Sequence, residues 1–433
     1  MNLYDEFAWR GMVYDATEGL LDAFARDRVT AYIGFDPTAA SLHVGSLLPV
    51  MALARLQRFG HVPIAIVGGG TGMIGDPSGK SQERTLLSNE QIAENIAGLR
   101  QQLSRFLDFD SSSNAARIVN NADWLAGFDL LGFLRDTGKY FTVNYMLQKE
   151  SVNRRLESED GISYTEFSYL LLQARDYLEL FDRFGCTLQM GGSDQWGNIT
   201  AGIDLIRKLR AAKAHGLVMP LVTTSAGAKF GKTEAGTVWL DPARTSPFRF
   251  YQFWLNTDDR EVVAYLKFFT FLERATIEEL AAVTKSAPEK REAQRVLARE
   301  VTGLVHGSEQ VARAERASSM LFGEDIAALD VDDVLTVFAD VPSTELPAGD
   351  FSSEGVAIVD LLSRVRLVSS KSEARRLVQS GGVYVNNRRV ADPQDRLRRE
   401  QAIGGQVFVL RKGQKQNHLV RIVEPGGVSW APR

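Results

Sequence analysis

Three short runs of the 433-residue chain carry residues whose types and spacing could do chemistry on a bound ligand. Asp36-Pro37-Thr38-Ala39-Ala40-Ser41-Leu42-His43-Val44-Gly45-Ser46 leads from an apolar run into a helical pattern. A helix start offers unpaired backbone N–H groups and the positive end of the dipole, a ready anion site. Thr38 and His43 add side-chain donors, and Gly45 lets a flat ring or a phosphate approach the backbone. The competing reading is a capped helix with an ordinary histidine. Lys229-Phe230-Gly231-Lys232-Thr233 places two lysines around a Phe-Gly pair, inside a polar stretch from Thr223 to Gly236. Two ammonium groups there would neutralise charge developing on a departing polyphosphate. A plain surface loop has the same composition.

The third run, Gly68-Gly69-Gly70-Thr71-Gly72-Met73-Ile74-Gly75-Asp76-Pro77-Ser78-Gly79-Lys80, is not a P-loop. That motif needs a glycine five residues before Gly79, where Ile74 stands. It reads as a tight loop giving close access to a ligand, with Asp76 able to grip an ammonium group. A purely structural glycine turn competes with this.

Stepping from loops to the elements that hold them, residues 29–35 read as a buried strand, 45–59 as a helix ended by Gly60, and 62–67 as a second strand. That is a βαβ unit. The alternation continues with a helix from the capping box Ser88–Gln91 to about Leu107, a strand at 117–119, and a helix from Ser163–Glu166 to about Phe184. A strand at 186–190, a helix over 194–213 and a strand at 217–224 follow. The fold class is therefore α/β: a doubly wound, Rossmann-like parallel-sheet domain over 1–224, with ligands expected beyond the carboxyl ends of its strands. Residues 225–320 hold the Lys-rich loop and helical patterns, including a capping box at Thr276–Glu279, and read as an all-helical domain. Residues 356–433 read as two short helices, the first capping box there being Ser370–Glu373, then strands with a hairpin turn at Asn386-Asn387.

Charge divides the chain the same way. Residues 321–350 have eight Asp/Glu and no Lys/Arg, and read as an acidic linker. Residues 351–433 carry fifteen Lys/Arg against seven Asp/Glu, a net of +8, which points to a polyanionic partner. Arg364, Lys371, Arg375, Arg376, Arg388 and Arg389 gather around the expected helix pair and hairpin, and suit RNA phosphates. The net charge of the whole chain is −4, so it is not a general polyanion binder. One cysteine excludes a disulfide framework and suits a reducing compartment. No signal-peptide pattern or membrane-length apolar run is present, so a cytoplasmic location is expected.

In order and separation, these runs resemble the signatures of class I aminoacyl-tRNA synthetases. The His-x-Gly-His motif corresponds to His43-Val44-Gly45-Ser46 and the Lys-rich loop to Lys229–Thr233. The chain is most similar to the bacterial tyrosyl-tRNA synthetases, through Tyr32-Ile33-Gly34-Phe35-Asp36-Pro37-Thr38, Gly68 to Lys80, Tyr169 to Asp176, and Gly191-Gly192-Ser193-Asp194-Gln195-Trp196-Gly197-Asn198. The resemblance covers essentially the whole chain, and the basic tail looks like a small RNA-binding fold shared with a small-subunit ribosomal protein. Ser46 stands where the family often has a second histidine near the ATP ribose.

The resemblance implies tyrosine–tRNA ligase activity: tyrosine and ATP give tyrosyl-adenylate and pyrophosphate, and tyrosine then passes to the 3′ end of tRNA(Tyr). It implies that Tyr32 and Asp176 bind the substrate phenol, that Tyr169, Gln173 and Asp76 hold its ammonium, and that Gln195 lies near its carboxylate. Gly34, Asp36, Gly45, Ser46, Gly192 and Asp194 would line the ATP site. Thr38 and His43 would meet the γ-phosphate, and Lys229, Lys232 and Thr233 the departing pyrophosphate. Spacing supports one part independently: Tyr169, Gln173 and Asp176 fall at i, i+4 and i+7, on one helical face. ATP enters as a substrate, Mg²⁺ is expected with it without a dedicated protein site, and a homodimer is implied. Rival readings are a tryptophanyl-tRNA synthetase, another nucleotidyltransferase, or an RNA-binding protein without catalysis.

Overall fold

The computed structural model describes residues 2–76, 88–157, 161–223, 230–233, 236–321, 326, 331–338, 341–352, 354–413 and 416–424. The chain falls into two compact units. One is Met1–Thr245 with Phe253–Val305, and the other is Ser246–Gln252 with His306–Arg433.

The first unit is built on six strands: β1 (Asp15–Ala16), β2 (Thr30–Phe35), β3 (Val62–Val67), β4 (Arg117–Asn120), β5 (Cys186–Gly192) and β6 (His215–Met219). Their order across the sheet is β1-β6-β5-β2-β3-β4. The four pairings among β2 to β6 are parallel, while β1 closes the edge antiparallel to β6. Strands buried on both faces are apolar throughout, which is why β3 (Val-Pro-Ile-Ala-Ile-Val) and β6 show no alternation. From β2 the chain winds outward through β3 and β4, then returns to add β5 and β6 on the other side. The strand order therefore reverses between β2 and β5, where a doubly wound sheet opens its crevice. β6 stops at Met219, short of the expected 224, because Pro220 has no N–H to donate to a ladder.

Four helices frame that crevice: α1 (Leu47–Arg58), α2 (Asn89–Leu103), α3 (Tyr164–Phe184) and α4 (Trp196–Arg210). α1 buries Leu47, Leu48, Met51, Leu53, Ala54 and Leu56, and its expected first turn is a separate 3₁₀ turn, Val44–Ser46. The Ser88–Gln91 capping box forms both of its bonds, and α2 ends at Leu103, four residues early. α3 starts after Ser163, which accepts from the Glu166 N–H, and stops at Gly185 in the left-handed region. The Glu166 carboxylate does not close a capping box: it pairs at 2.8 Å with buried Arg155. Beyond the sheet, β7 (Lys232–Thr233) and β8 (Gly236–Thr237) form a short ladder. Helices Val262–Phe269, Arg274–Ser286 and Glu292–His306 follow. Thr276 lies inside the first turn of a helix that begins at Arg274, so it caps nothing.

The second unit carries a five-stranded sheet in the order β12-β11-β14-β15-β9. Its strands are β9 (Ser343–Pro347), β11 (Val383–Val385), β12 (Arg388–Arg389), β14 (Val407–Lys412) and β15 (Gln416–Val423). A smaller ladder joins β10 (Val356–Ala357) to β13 (Arg396–Leu397). Helices α5 (Ile358–Arg364) and α6 (Lys371–Gln379) bury Leu361, Leu362, Ala374 and Val378 in the same core as Val383, Phe408 and Val420. Asn386 and Asn387 turn the β11–β12 hairpin with φ of 47° and 61°, a left-handed pair that asparagine tolerates. The acidic linker expected over 321–350 needs correction. Residues 343–347 are a parallel edge strand on β15, and Val334 and Phe338 are buried against Ile403, Val407 and Leu419. No helix among the described residues is long and apolar enough to cross a membrane.

Candidate active site

A cavity of about 620 Å³ opens at the carboxyl ends of β2, β3, β5 and β6. Its lining includes Tyr32, Gly34 and Asp36 from β2 and its exit, His43, Gly45 and Ser46 from the turn before α1, and Asp76. Tyr169, Gln173 and Asp176 reach it from α3, and Gly192, Asp194 and Gln195 from the β5 exit. Thr38 is not among the lining residues: it lies exposed in the loop, its N–H bonded to Asp36 O at 2.8 Å. Lys229 and the side chains of Lys232 and Thr233 lie outside the described residues.

One end of the cavity is a buried polar cluster. Asp176 is 4% exposed and accepts from Asn121 Nδ2 at 2.9 Å and from Trp124 Nε1 at 2.7 Å. Burial pushes its carboxyl up to about 7, against the pull of those two bonds. Asn121 Nδ2 also donates to Thr71 Oγ1 at 2.9 Å. Tyr32 is 1% exposed, and its hydroxyl finds no hydrogen-bond partner among the described residues. Burial and the nearby Asp176 charge hold that phenol well above its usual range, so it stays protonated. The Gln189 Oε1 atom, opposite Tyr32 in the β2–β5 register, is also without a partner. A buried donor beside a buried acceptor is costly until a ligand pairs both, and a hydroxyl can do so.

Next to this cluster runs a chain of amides. Asn198 Nδ2 donates to Gln173 Oε1 at 3.0 Å and to Gln195 Oε1 at 3.2 Å. Gln173 Nε2 donates to Gln195 Oε1 at 3.2 Å, and Gln195 Nε2 to Asp76 Oδ2 at 2.8 Å. Of the residues expected at the ammonium and carboxylate, Gln173, Gln195 and Asp76 thus share one connected network, and Tyr169 lies outside it.

The turn before α1 differs from its expected chemistry. His43 Nδ1 accepts from Gly45 N–H at 3.0 Å, and His43 O accepts from Ser46 N–H at 2.8 Å. The Val44 N–H goes to Val238 O at 3.0 Å, and the Leu47 N–H to Val44 O. The N–H groups from Val44 to Leu47 are therefore spent inside the protein and form no backbone anion site. Gly45 also makes room for the His43 ring: a Cβ there would lie 2.7 Å from His43 Cε1. The glycine lets the ring fold back, and the Nδ1 acceptor puts the neutral ring's proton on Nε2. Gly231, with φ of +84°, packs where a Cβ would be 2.6 Å from Val44 Cγ2, so the Lys-rich segment abuts the His43 turn. Phe230 anchors it, stacked on Phe269 at 5.4 Å and against Tyr265 at 5.0 Å. At the β5 exit, a Cβ on Gly192 would meet Asp194 Oδ1 at 2.6 Å, so glycine there makes room for that carboxylate.

Asn121, Trp124 and Gln189 are site residues outside the quoted motifs, and Thr71 and Asn198 stand inside them with no role expected. Asn121 follows β4 directly, and a polar pair at the carboxyl end of a sheet strand was the available signal.

On the second unit, Arg375 and Arg376 are exposed on α6, and Arg388 and Arg389 on β12. Arg364 pairs with Asp350 and Lys371 with Asp360, each at 2.6 Å. The Arg389 guanidinium lies over the α6 end, where a Cβ on Gly381 would sit 1.6 Å from its Nη2. Two of the six, Arg364 and Lys371, are thus paired with carboxylates within the fold.

The family of class I tRNA synthetases (W and Y) matches residues 25–323, and the SYY-like C-terminal domain of tyrosine–tRNA ligases matches residues 333–420. The chain belongs to the tyrosine–tRNA ligases of class I. Tyrosine–tRNA ligase of Roseiflexus castenholzii is 57% identical over 421 residues, covering 97% of this chain and 99% of that protein. The ligase of Geobacillus kaustophilus is 52% identical over 424 residues, 97% of this chain and 100% of its own length. A crystal structure of a C-terminally truncated mitochondrial tyrosyl-tRNA synthetase from Aspergillus nidulans is 32% identical, with a TM-score of 0.68 over 74% of this chain and 94% of that one. The family thus accounts for both units, the activation fold and the smaller basic one.

Proposed function

We propose that the cavity is where this ligase joins tyrosine to the α-phosphate of ATP, with the residues in the following roles. The Asp176 carboxylate accepts a hydrogen bond from the substrate's phenol, and the Tyr32 hydroxyl donates to the phenolic oxygen. The observation that carries the reading is the Tyr32 hydroxyl, buried without a partner beside a carboxylate held by two donors. An indole has one N–H donor and no acceptor, so it could pair with the Asp176 carboxylate but would leave the Tyr32 hydroxyl unmatched, which disfavours tryptophan. Asp76, Gln173 and Tyr169 hold the ammonium, and Gln195 faces the carboxylate. Asp194 and Gly192 meet the ribose, with Gly34, Asp36, Gly45 and Ser46 along the rest of the nucleotide.

The tyrosine carboxylate attacks the α-phosphorus in line and pyrophosphate leaves. No protein nucleophile or base is required, because the carboxylate is already an anion; positioning and charge stabilisation lower the barrier. His43, through Nε2–H, and Thr38, from the rim, stabilise the γ-phosphate side, while Lys229, Lys232 and Thr233 neutralise the departing pyrophosphate. The 3′-terminal hydroxyl of tRNA(Tyr) then attacks the activated carbonyl and releases AMP. Mg²⁺ accompanies ATP. Among the described residues no group of three or more His, Cys, Asp or Glu gathers to hold a metal, so phosphate oxygens and water would carry it and no step is assigned to it.

Residues 351–433 would hold tRNA through Arg375, Arg376, Arg388 and Arg389, with Arg364 and Lys371, which pair with Asp350 and Asp360, contributing chiefly field. The functional division at 224, 320 and 350 belongs to this reading, with β9 moved to the tail domain. A cytoplasmic homodimer completes it. Leu130, Leu131 and Val143, which are 70%, 77% and 60% exposed, supply an apolar surface for a second copy.

The test is amino-acid-dependent ATP–pyrophosphate exchange, followed by single-turnover adenylate formation in His43→Ala and Thr38→Ala. Tyrosine alone should support exchange, and both variants should activate slowly with tyrosine affinity nearly intact. Exchange driven by tryptophan, or lost tyrosine affinity with normal activation, would refute the roles.

A further inference from the structure

Helix α2 lines no part of the cavity, yet one of its faces grips the loop that carries Thr38 and His43. Asn95 Nδ2 donates to Pro37 O at 2.7 Å. Gln102 uses both ends of its amide: Nε2 donates to Ser41 Oγ at 2.9 Å, and Oε1 accepts from the Leu42 N–H at 2.8 Å. Between them sits Gly98, where a Cβ would lie 2.0 Å from Ala40 O. A side chain at that position would push the loop off the helix. Residues 95, 98 and 102 recur at i, i+3 and i+7, so all three share one face.

The opposite side of the loop is held as well. Leu240 N donates to Leu42 O at 2.9 Å, Val44 N to Val238 O at 3.0 Å, and His43 bridges to Trp239 in antiparallel fashion. Ser41 Oγ also accepts from Asp241 N at 3.2 Å. Ser41 therefore ties α2 to the segment that follows the Lys-rich run. Loop main-chain groups are obligatory hydrogen-bonding groups, and a partner on a rigid helix fixes them far more closely than solvent would. Apolar packing would fill the same space without fixing the loop's register.

We propose that Asn95, Gly98 and Gln102 are positioning residues for amino-acid activation: they set where Thr38 and His43 stand against the terminal phosphates of ATP. The proposal rests on the roles given above to Thr38 and His43. It separates the two halves of the site, because the tyrosine pocket takes nothing from this face of α2. A misplacement of about 1 Å is enough to slow a chemical step by a factor on the order of 100.

The test uses the full-length chain and single-turnover adenylate formation against ATP concentration, with tyrosine affinity from equilibrium dialysis. Gln102→Ala should lower the rate at saturating ATP by roughly tenfold or more, with tyrosine affinity within about twofold of the parent. Gln102→Glu keeps an acceptor for the Leu42 N–H and should recover to within about threefold. In a Thr38→Ala/His43→Ala background the Gln102→Ala loss should shrink to about twofold or less, since residues acting as a unit are not additive. Asn95→Ala gives a second variant with the same pattern if Gln102→Ala folds poorly. An undiminished loss in that background, a parallel loss of tyrosine affinity, or no loss at all would overturn the proposal. Normal activation by the Thr38→Ala/His43→Ala chain would instead overturn the site reading beneath it.

Discussion

Replacing Trp124 with phenylalanine probes the phenol end of the site with little change in packing. The indole N–H donates at 2.7 Å to the Asp176 carboxylate, which is already raised to about 7 by burial. A hydrogen bond to a charged group contributes about 1.5–3 kcal/mol. At 1.36 kcal/mol per pKa unit, its loss moves the Asp176 carboxyl from about 7 to roughly 8–9. In the proposed role, the ionised form is the one that accepts a hydrogen bond from the substrate's phenol. At pH 7 the parent is about half ionised and the variant roughly a tenth to a hundredth, so tyrosine affinity should fall about 5- to 50-fold. By pH 9 both carboxyls are mostly ionised and the gap should narrow to about twofold. Equilibrium dialysis with labelled tyrosine at half-unit steps from pH 6 to 9 measures this without relying on the lost fluorophore. A uniform loss at every pH, or a midpoint unmoved by the substitution, would show that the indole does not act through the Asp176 charge.

The same carboxyl predicts the opposite pH sense for folding. An acid raised in the folded state from roughly 3.9 to about 7 adds stability that is present below the lower value and lost as pH rises through the upper one. Denaturant unfolding without tyrosine should therefore lose about 2.5 kcal/mol between pH 5 and pH 8, and Asp176→Asn should remove that dependence. Gly231→Ala places a methyl 2.6 Å from Val44 Cγ2 at a φ of +84°. It should slow adenylate formation several-fold while tyrosine binding, followed by dialysis, stays unchanged. Arg375→Glu with Arg376→Glu should raise the tRNA concentration needed for half-maximal aminoacylation and flatten its salt dependence, with pyrophosphate exchange untouched. Loss of exchange in that double variant would mean that α6 supports the fold rather than the RNA.

Much of this architecture could be read from local pattern. The βαβ unit from Thr30 to Val67 and helix α3, with its Ser163 start and Gly185 stop, follow from period and capping. Tyr169, Gln173 and Asp176 meet in the cavity because an i, i+4, i+7 spacing leaves them one direction to face. What escaped the sequence are long-range partners. Asn121 and Trp124 hold Asp176 across more than fifty positions, and no periodicity encodes that. The Val44 N–H, just before α1, looked available because its acceptor at 238 is invisible locally. The β9 strand was hidden by its neighbours: acids and prolines read as linker, whereas a parallel edge strand tolerates both.

The amide chain beside the substrate pocket has a sense as well as a shape. Each amide has one giving end and one receiving end, while Asp76 can only receive. By accepting from Gln195 Nε2, the carboxylate fixes which way Gln195 points, and Gln195 Oε1 then fixes Gln173 and Asn198. An asparagine in place of Asp76 would permit the reverse sense and let three side chains rotate together. The orientation of an entire wall is thus written at one carboxylate.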